Sequence, residues 1–256
     1  MSVPTSSPLY RFGAGQFWCV PNGGDEAVNP TPVRLATLQE VSMEFSADIK
    51  ELYGENQYPE VVAVGKRKIA GKAKIGRWNT TSLNQMMFAG TQTAGMDIVT
   101  VNEADTVPAM STYTITVSGS ANYVEDLGVT YPNGDPLTKE ASALTAAGQY
   151  MVDEATGIYT FDSADAGNAV KISYTQAASS QGTTLEIDNQ LMGYGPVFQA
   201  IFRALFRGQE CTIVLQACIA GKLSLQSKVD DFTVPEIDFS AFQDQNGKVG
   251  FIYSAK

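Results

Sequence analysis

Residues 33–78 constrain this chain more than any other stretch. Over residues 33–45, Val33, Leu35, Val41, Met43 and Phe45 alternate with Arg34, Glu40, Ser42, Glu44 and Ser46. A period of two suits a strand with one buried and one wet face. Residues 61–78 have the same habit, and Lys66, Lys68, Lys72 and Lys74 share one face. The two runs read as one long β-hairpin. Between them lies Ala47-Asp48-Ile49-Lys50-Glu51-Leu52-Tyr53-Gly54-Glu55-Asn56-Gln57-Tyr58-Pro59, a mobile-looking tip. It is far longer than the two to five residues a hairpin turn needs, so closing the turn does not account for it. Glu40 and Glu44 occupy the matching polar face of the outgoing strand, which makes cross-strand ion pairing the plain expectation for the lysines.

Composition narrows the function classes. A chain of 256 residues, 44% hydrophobic and 17% charged, easily supports a buried core. A net charge of −10 argues against a surface that grips nucleic acid, which needs clustered Lys and Arg against phosphates. There is no histidine, so histidine-dependent triads and dyads are excluded, and the commonest metal ligand is missing. Cys19, Cys211 and Cys218 form no CxxC pair, and an odd count suits a reducing compartment. They read as small core hydrophobes. On an unbroken strand Cys211 and Cys218, seven residues apart, point to opposite faces. The N-terminus lacks the charged and apolar regions of a signal peptide, and the longest apolar-rich run, residues 197–206, is too short to span a bilayer. The expectation is a soluble protein made in a cytoplasm, without catalytic residues, metal or cofactor.

Along the chain, residues 1–15 read as a polar arm ending at Gly13-Ala14-Gly15, followed by strand-like Gln16-Phe17-Trp18-Cys19-Val20. Turn chemistry at residues 21–25 and 29–32 leads into the central hairpin. After Trp78, Asn79-Thr80-Thr81-Ser82 supplies N-cap candidates for a short helix through Leu83, Met86, Met87 and Phe88, closed by Gly90. From about residue 107 to 176 the texture changes to short β-branched or aromatic runs: Tyr113-Thr114-Ile115-Thr116-Val117, residues 123–129, Tyr150-Met151-Val152, Ile158-Tyr159-Thr160-Phe161 and Val170-Lys171-Ile172-Ser173-Tyr174. Strands at such spacing suggest a small β-sandwich. This stretch holds eight acidic residues against Lys139 and Lys171, or −6 of the total −10, as a solvated outer surface would. Asp153, Glu154, Asp162 and Asp165 raise the question of calcium, but their spacing matches no EF-hand loop. No carboxylate pair stands out as a glycosidase couple.

Beyond an Ala177-Ala178-Ser179-Ser180-Gln181-Gly182 linker, strands resume. Residues 197–206 fit a strand or a helix; Gly195-Pro196 before them, Gly208 after them and strand-like residues 211–219 favour a hairpin. Residues 233–239, an Asn246-Gly247 turn and a last strand at 249–253 finish the chain. The expected fold is mainly β: a β-sandwich with one short flanking helix and a long hairpin, built from residues 1–106 and 178–256, plus an inserted small β-rich domain at 107–177.

In this order the chain resembles the major tail tube proteins of long-tailed bacteriophages. The resemblance is carried by Glu51-Leu52-Tyr53-Gly54-Glu55-Asn56-Gln57-Tyr58-Pro59, the Lys-rich Gly65-Lys66-Arg67-Lys68-Ile69-Ala70-Gly71-Lys72-Ala73 and the helix after Trp78. Further phrases are Asp126-Leu127-Gly128-Val129, Gly148-Gln149-Tyr150, Gly157-Ile158-Tyr159-Thr160-Phe161, Ala164-Asp165-Ala166-Gly167, Lys228-Val229-Asp230-Asp231-Phe232-Thr233-Val234-Pro235-Glu236 and Asn246-Gly247. It implies a structural virion protein, assembled in the host bacterial cytoplasm, whose hexameric rings close an inner β-barrel and stack into a hollow tail tube. It implies as partners other copies of the chain, a tape-measure protein, a tail terminator and baseplate or tip proteins. Double-stranded DNA passes through the lumen without specific binding, and no membrane is involved. The hairpin tip, with Glu51, Leu52, Tyr53, Asn56 and Tyr58, reaches the neighbouring ring and orders on meeting it, and the inserted domain faces outward. The lysines then either pair with Glu40 and Glu44 or point into the lumen. Two other readings are an extracellular β-rich adhesin or carbohydrate-binding module, with Tyr123, Tyr131, Tyr150 and Tyr159 as candidate platform residues, and a type VI secretion tube protein.

Overall fold

The computed structural model describes residues 13–21, 31–227 and 229–255. The expectations for residues 1–12, for the turn at 22–30 and for Lys228 lie outside them. The chain is mainly β and sandwich-like, and it divides into two compact units. The first comprises residues 1–91 and 185–256, the second residues 92–184.

The first unit opens with β1 (Gln16–Pro21), β2 (Val33–Tyr53), β3 (Pro59–Arg77) and the one-turn helix α1 (Thr80–Leu83), which runs into a π turn (Asn84–Phe88). The second carries β4 (Gln92–Thr106), β5 (Thr114–Thr116), β6 (Tyr123–Thr130), β7 (Thr138–Lys139), β8 (Gln149–Asp153), β9 (Ile158–Phe161) and β10 (Ala169–Leu185). The chain then returns to the first unit with β11 (Val197–Phe206), β12 (Gln209–Ser224), β13 (Glu236–Phe242) and β14 (Gly250–Ala255).

In the first unit seven strands pair in the order β11-β1-β2-β3-β13-β12-β14, with a further pairing of β11 to β12. Residues 197–206 are a strand: Phe198, Ala200, Phe202 and Ala204 are buried in strict alternation, which a helix does not produce. The hairpin to β12 closes through Arg207-Gly208, both at positive φ, as a primed two-residue turn requires. Phe17, Leu35, Ile75, Phe198, Leu215 and Phe239 form the middle of the core. Leu83 and Met86, from the helix and π turn, are buried in the same cluster. Asn79 caps α1 by accepting from Ser82 N at 2.8 Å, in a capping box. The turn ends one residue earlier than Gly90, at Ala89 in the left-handed region, and the Asn84 side chain both donates to and accepts from the Gly90 backbone.

Irregularities correct two expectations of strict alternation. Cys211 and Cys218 are both buried in one core, because the β11–β12 register shifts between Phe198 and Ala200, which inserts a residue and restores the facing. In β2, Thr37 sits at φ 55° and the register shifts between Leu38 and Glu40, so Leu38 turns inward before Val41 and Met43 resume the inner face. Phe45, expected in the sandwich with them, is 53% exposed because the core ends before it.

The second unit pairs β4-β10-β6 in one sheet and β5-β9-β8-β7 in another. Its core is a separate cluster that includes Val107, Tyr150, Tyr159, Phe161, Ile172 and Tyr174. Residues 92–106, not anticipated as a strand, form β4, and the expected linker at 177–182 is the continuation of β10. Pairing overrides the weak strand preference of Ala and Ser there.

Candidate functional site

The hairpin is longer and more regular than its sequence implies. β2 and β3 stay paired from Ala36↔Arg77 to Tyr53↔Pro59, so the turn is only residues 54–58. The expected overlong tip is therefore strand: Glu51, Leu52 and Tyr53 lie on β2, and only Asn56 and Tyr58 belong to the turn. Alternation of Ile49, Glu51 and Tyr53 opposite Val64, Val62 and Pro59 sustains the ladder.

Most of this ladder is uncovered. β13 pairs with β3 only from Lys74 to Ile69, and β1 pairs with β2 only over Val33, Arg34 and Leu35. Residues 59–68 of β3 thus extend about 33 Å beyond the last β13 contact at ~3.3 Å per residue. One face of this ribbon carries Ile49, Tyr53, Val62 and Val64, the other Leu52 and Val61, and all six are exposed. The outer edges of β2 beyond Leu35 and of β14 have no strand partner among the described residues. β14 also exposes Ile252 and Tyr253.

The charged faces sort into paired and unpaired groups. Lys74 Nζ reaches Glu40 Oε2 at 2.5 Å across the hairpin. Lys72 turns the other way, to Glu236 at 2.8 Å and Asp238 at 3.6 Å on β13. The hydrogen bond from Lys72 holds the Glu236 carboxyl below its ordinary range. Glu44 has no lysine opposite it because its register partner is Ala70. Lys66, Arg67 and Lys68 form no ion pair among the described residues. Glu236 and Asp238 were not singled out in the sequence, although their alternation with Ile237 and Phe239 is a signal that could have placed them on the outer face of a strand.

At the root of the ribbon, where β13 ends, a cleft of about 690 Å³ opens. Phe45, Val64, Ile69, Phe242 and Val249 line it, with Arg67 and Lys68 beside them.

Asp126, Asp153, Glu154, Asp162 and Asp165 of the second unit are engaged locally. Asp126 accepts from Tyr159 Oη at 2.9 Å and Tyr150 Oη at 2.8 Å, with Lys139 3.4 Å away. Asp165, fully buried, accepts from Tyr131 Oη at 2.5 Å, Gly148 N at 2.7 Å and Asn168 Nδ2 at 3.2 Å. Asp153 closes its own turn through Ala155 N and Thr156 Oγ1, Asp162 caps a short 3₁₀ turn, and Glu154 pairs with Lys139. Among the described residues no group of three or more His, Cys, Asp or Glu is placed to hold a metal ion. Tyr150 and Tyr159 stack at 5.9 Å inside the core and present no exposed platform. No described helix is long and apolar enough to cross a membrane.

No family model matches the chain, and no curated protein matches its sequence.

Proposed function

We propose that this protein is a structural subunit that assembles with copies of itself, as stacked hexameric rings, into the tail tube of a bacteriophage. The observation that carries the self-assembly reading is the ribbon. A lone two-stranded hairpin is marginal in water, yet this one extends past its sheet with apolar side chains on both faces and an unpaired edge. Such an edge is a template for pairing with another chain, and a ring of subunits removes it. An exposed apolar element on one end that meets a different surface on the next copy is a heterologous contact, and such contacts generate rings or open filaments. The resemblance in residues 51–59 and 65–73 supplies the finer reading: six copies per ring, a virion tail, and a lumen through which the genome passes without specific binding. Tape-measure, terminator and baseplate or tip proteins are the partners that go with it.

Negative-stain microscopy of the purified protein tests this. Rings or hollow tubes are the expected result, and a monomer that persists at high concentration would overturn the proposal. Removing residues 51–58 is expected to leave the circular-dichroism spectrum and thermal transition of the core intact while abolishing tube growth; normal growth of that variant would remove the hairpin tip from the ring-to-ring contact.

A further inference from the structure

The hairpin segregates its charge along its length. Residues 48–60 carry Asp48, Glu51, Glu55 and Glu60 against a single lysine, Lys50, whereas Lys66, Arg67 and Lys68 follow as a basic band with no ion pair among the described residues. The acidic end also carries the apolar side chains Leu52, Tyr53 and Tyr58, the last 82% exposed. The basic band borders the cleft at the root, whose walls include the half-exposed Phe45 and Phe242. An acidic end with aromatic side chains and an apolar cleft with a basic rim are complementary in both charge and polarity.

We infer that this cleft, with Phe45, Val64, Ile69 and Phe242 as its apolar walls and Arg67 and Lys68 on its rim, receives the hairpin tip of a second copy. The inference rests on the self-assembly reading and names the receptor for it. A chain cannot fill its own cleft: strand pairing continues from Ala47↔Arg67 to Tyr53↔Pro59, which carries the tip about 20 Å away at ~3.3 Å per residue. A tip that fills this cleft therefore belongs to another molecule, and because tip and cleft are different surfaces such a contact repeats head to tail. Leu52 and the two tyrosines enter the cleft, while Glu51, Glu55 and Glu60 approach Arg67 and Lys68. Partial desolvation there strengthens the attraction relative to an open surface.

Reciprocal charge reversal tests the pairing. Arg67→Glu/Lys68→Glu gives an acidic tip and an acidic rim; Glu51→Lys/Glu55→Lys gives a basic tip and a basic rim. Each variant alone is expected to raise the critical concentration for assembly by at least about tenfold, since like charges face each other at every contact. Mixed in equal amounts, the two are expected to co-assemble, because every contact again joins opposite charges. Assembly of either variant at the wild-type concentration, or failure of the mixture to recover, would overturn the inference. A second measurement is independent of charge: with Tyr58→Cys at the tip and Gln243→Cys on the cleft lining, mild oxidation is expected to yield a ladder of covalent oligomers, and monomer alone from assembled protein would overturn it. The native thiols add little background, since Cys19, Cys211 and Cys218 are buried. Wild-type protein that never assembles would instead remove the self-assembly reading itself, so the two failures are distinguishable.

Discussion

At the scale of single residues, close approach and buried polar pairs set the tolerances. Gly71 lies beneath the Phe239 ring, which packs 5.7 Å from Phe17 and 6.1 Å from Phe198; a Cβ at position 71 would come within 2.2 Å of the ring. Gly71→Ala is therefore expected to destabilise the first unit by ~1–3 kcal/mol, read as a lower denaturant midpoint. In the second unit, burial and the hydrogen bond to Asp165 push Tyr131 up to about 12 from the ordinary 10.0. Burial followed by hydrogen bonding to Asp126 also raises Tyr150, and burial with its bonds to Tyr123 and Asp126 raises Tyr159. A proton retained by the fold but lost by the unfolded chain makes stability fall with pH. The contribution is complete below pH 10 and fades as pH rises toward the folded values. Ultraviolet titration is expected to show these phenols ionising well above pH 10 and together with unfolding; ionisation of all tyrosines near pH 10 in a folded protein would contradict it. On the acid side, burial opposes ionisation of Glu103, but hydrogen bonds from Tyr174 Oη and Ser118 outweigh it and hold the carboxyl below its ordinary 4.5. That contribution is present above pH 4.5 and lost as pH falls through the lowered value.

At the scale of elements, the ribbon's apolar side chains lie outside either core and add little to the fold, which leaves them available for the proposed contacts between copies. Ile49→Ser/Val62→Ser is expected to leave the denaturant midpoint nearly unchanged, within about 0.5 kcal/mol for each exposed site, and to weaken assembly measured by sedimentation. The hairpin itself was legible in the sequence because Val41, Met43 and Phe45 alternate with Glu40, Ser42 and Glu44 without interruption. Its extent was not: Asp48, Lys50, Glu51 and Glu55 give the outer third a polar texture that reads as loop, and only the facing of Ile49 to Val64 and Leu52 to Val61 makes it strand. The same holds for β10, where Ala177-Ala178-Ser179-Ser180 has no strand signature of its own and is ordered by its neighbour. Lys74 and Glu40 were placed together by simple alternation, whereas the Lys72 contact to Glu236 joins residues 164 apart and depends on which strand lies beside β3. Cys218 was misplaced because a bulge leaves no mark that a period-two count can detect.

At the scale of the whole molecule, two hydrophobic clusters belong to two units, and substitutions in them are expected to act separately. Ile75→Ala removes a fully buried side chain of the first cluster and is expected to cost ~2–5 kcal/mol there. Tyr159→Phe withdraws one hydrogen bond from the Asp126 carboxylate in the second and is expected to cost ~1–3 kcal/mol. Scanning calorimetry is expected to resolve two transitions, with the first variant lowering one and the second lowering the other; a single transition shifted by both would show that the units unfold as one.

The placement of residues 92–184 between the two halves of the first unit also fixes an order of events during synthesis. β1 pairs with β11 and β3 with β13, so the first sheet waits for strands that leave the ribosome only after the whole second unit has emerged. The second unit, continuous in sequence, can finish first. The β2–β3 hairpin has both its strands once Arg77 has emerged, but as a two-stranded ribbon it stays marginal until β13 pairs with β3. On the proposed self-assembly, a nascent chain exposes its ribbon long before it owns the cleft wall that Phe242 and Val249 complete, so on a crowded polysome the hairpins of successive chains would meet before any of them has a receptor to offer.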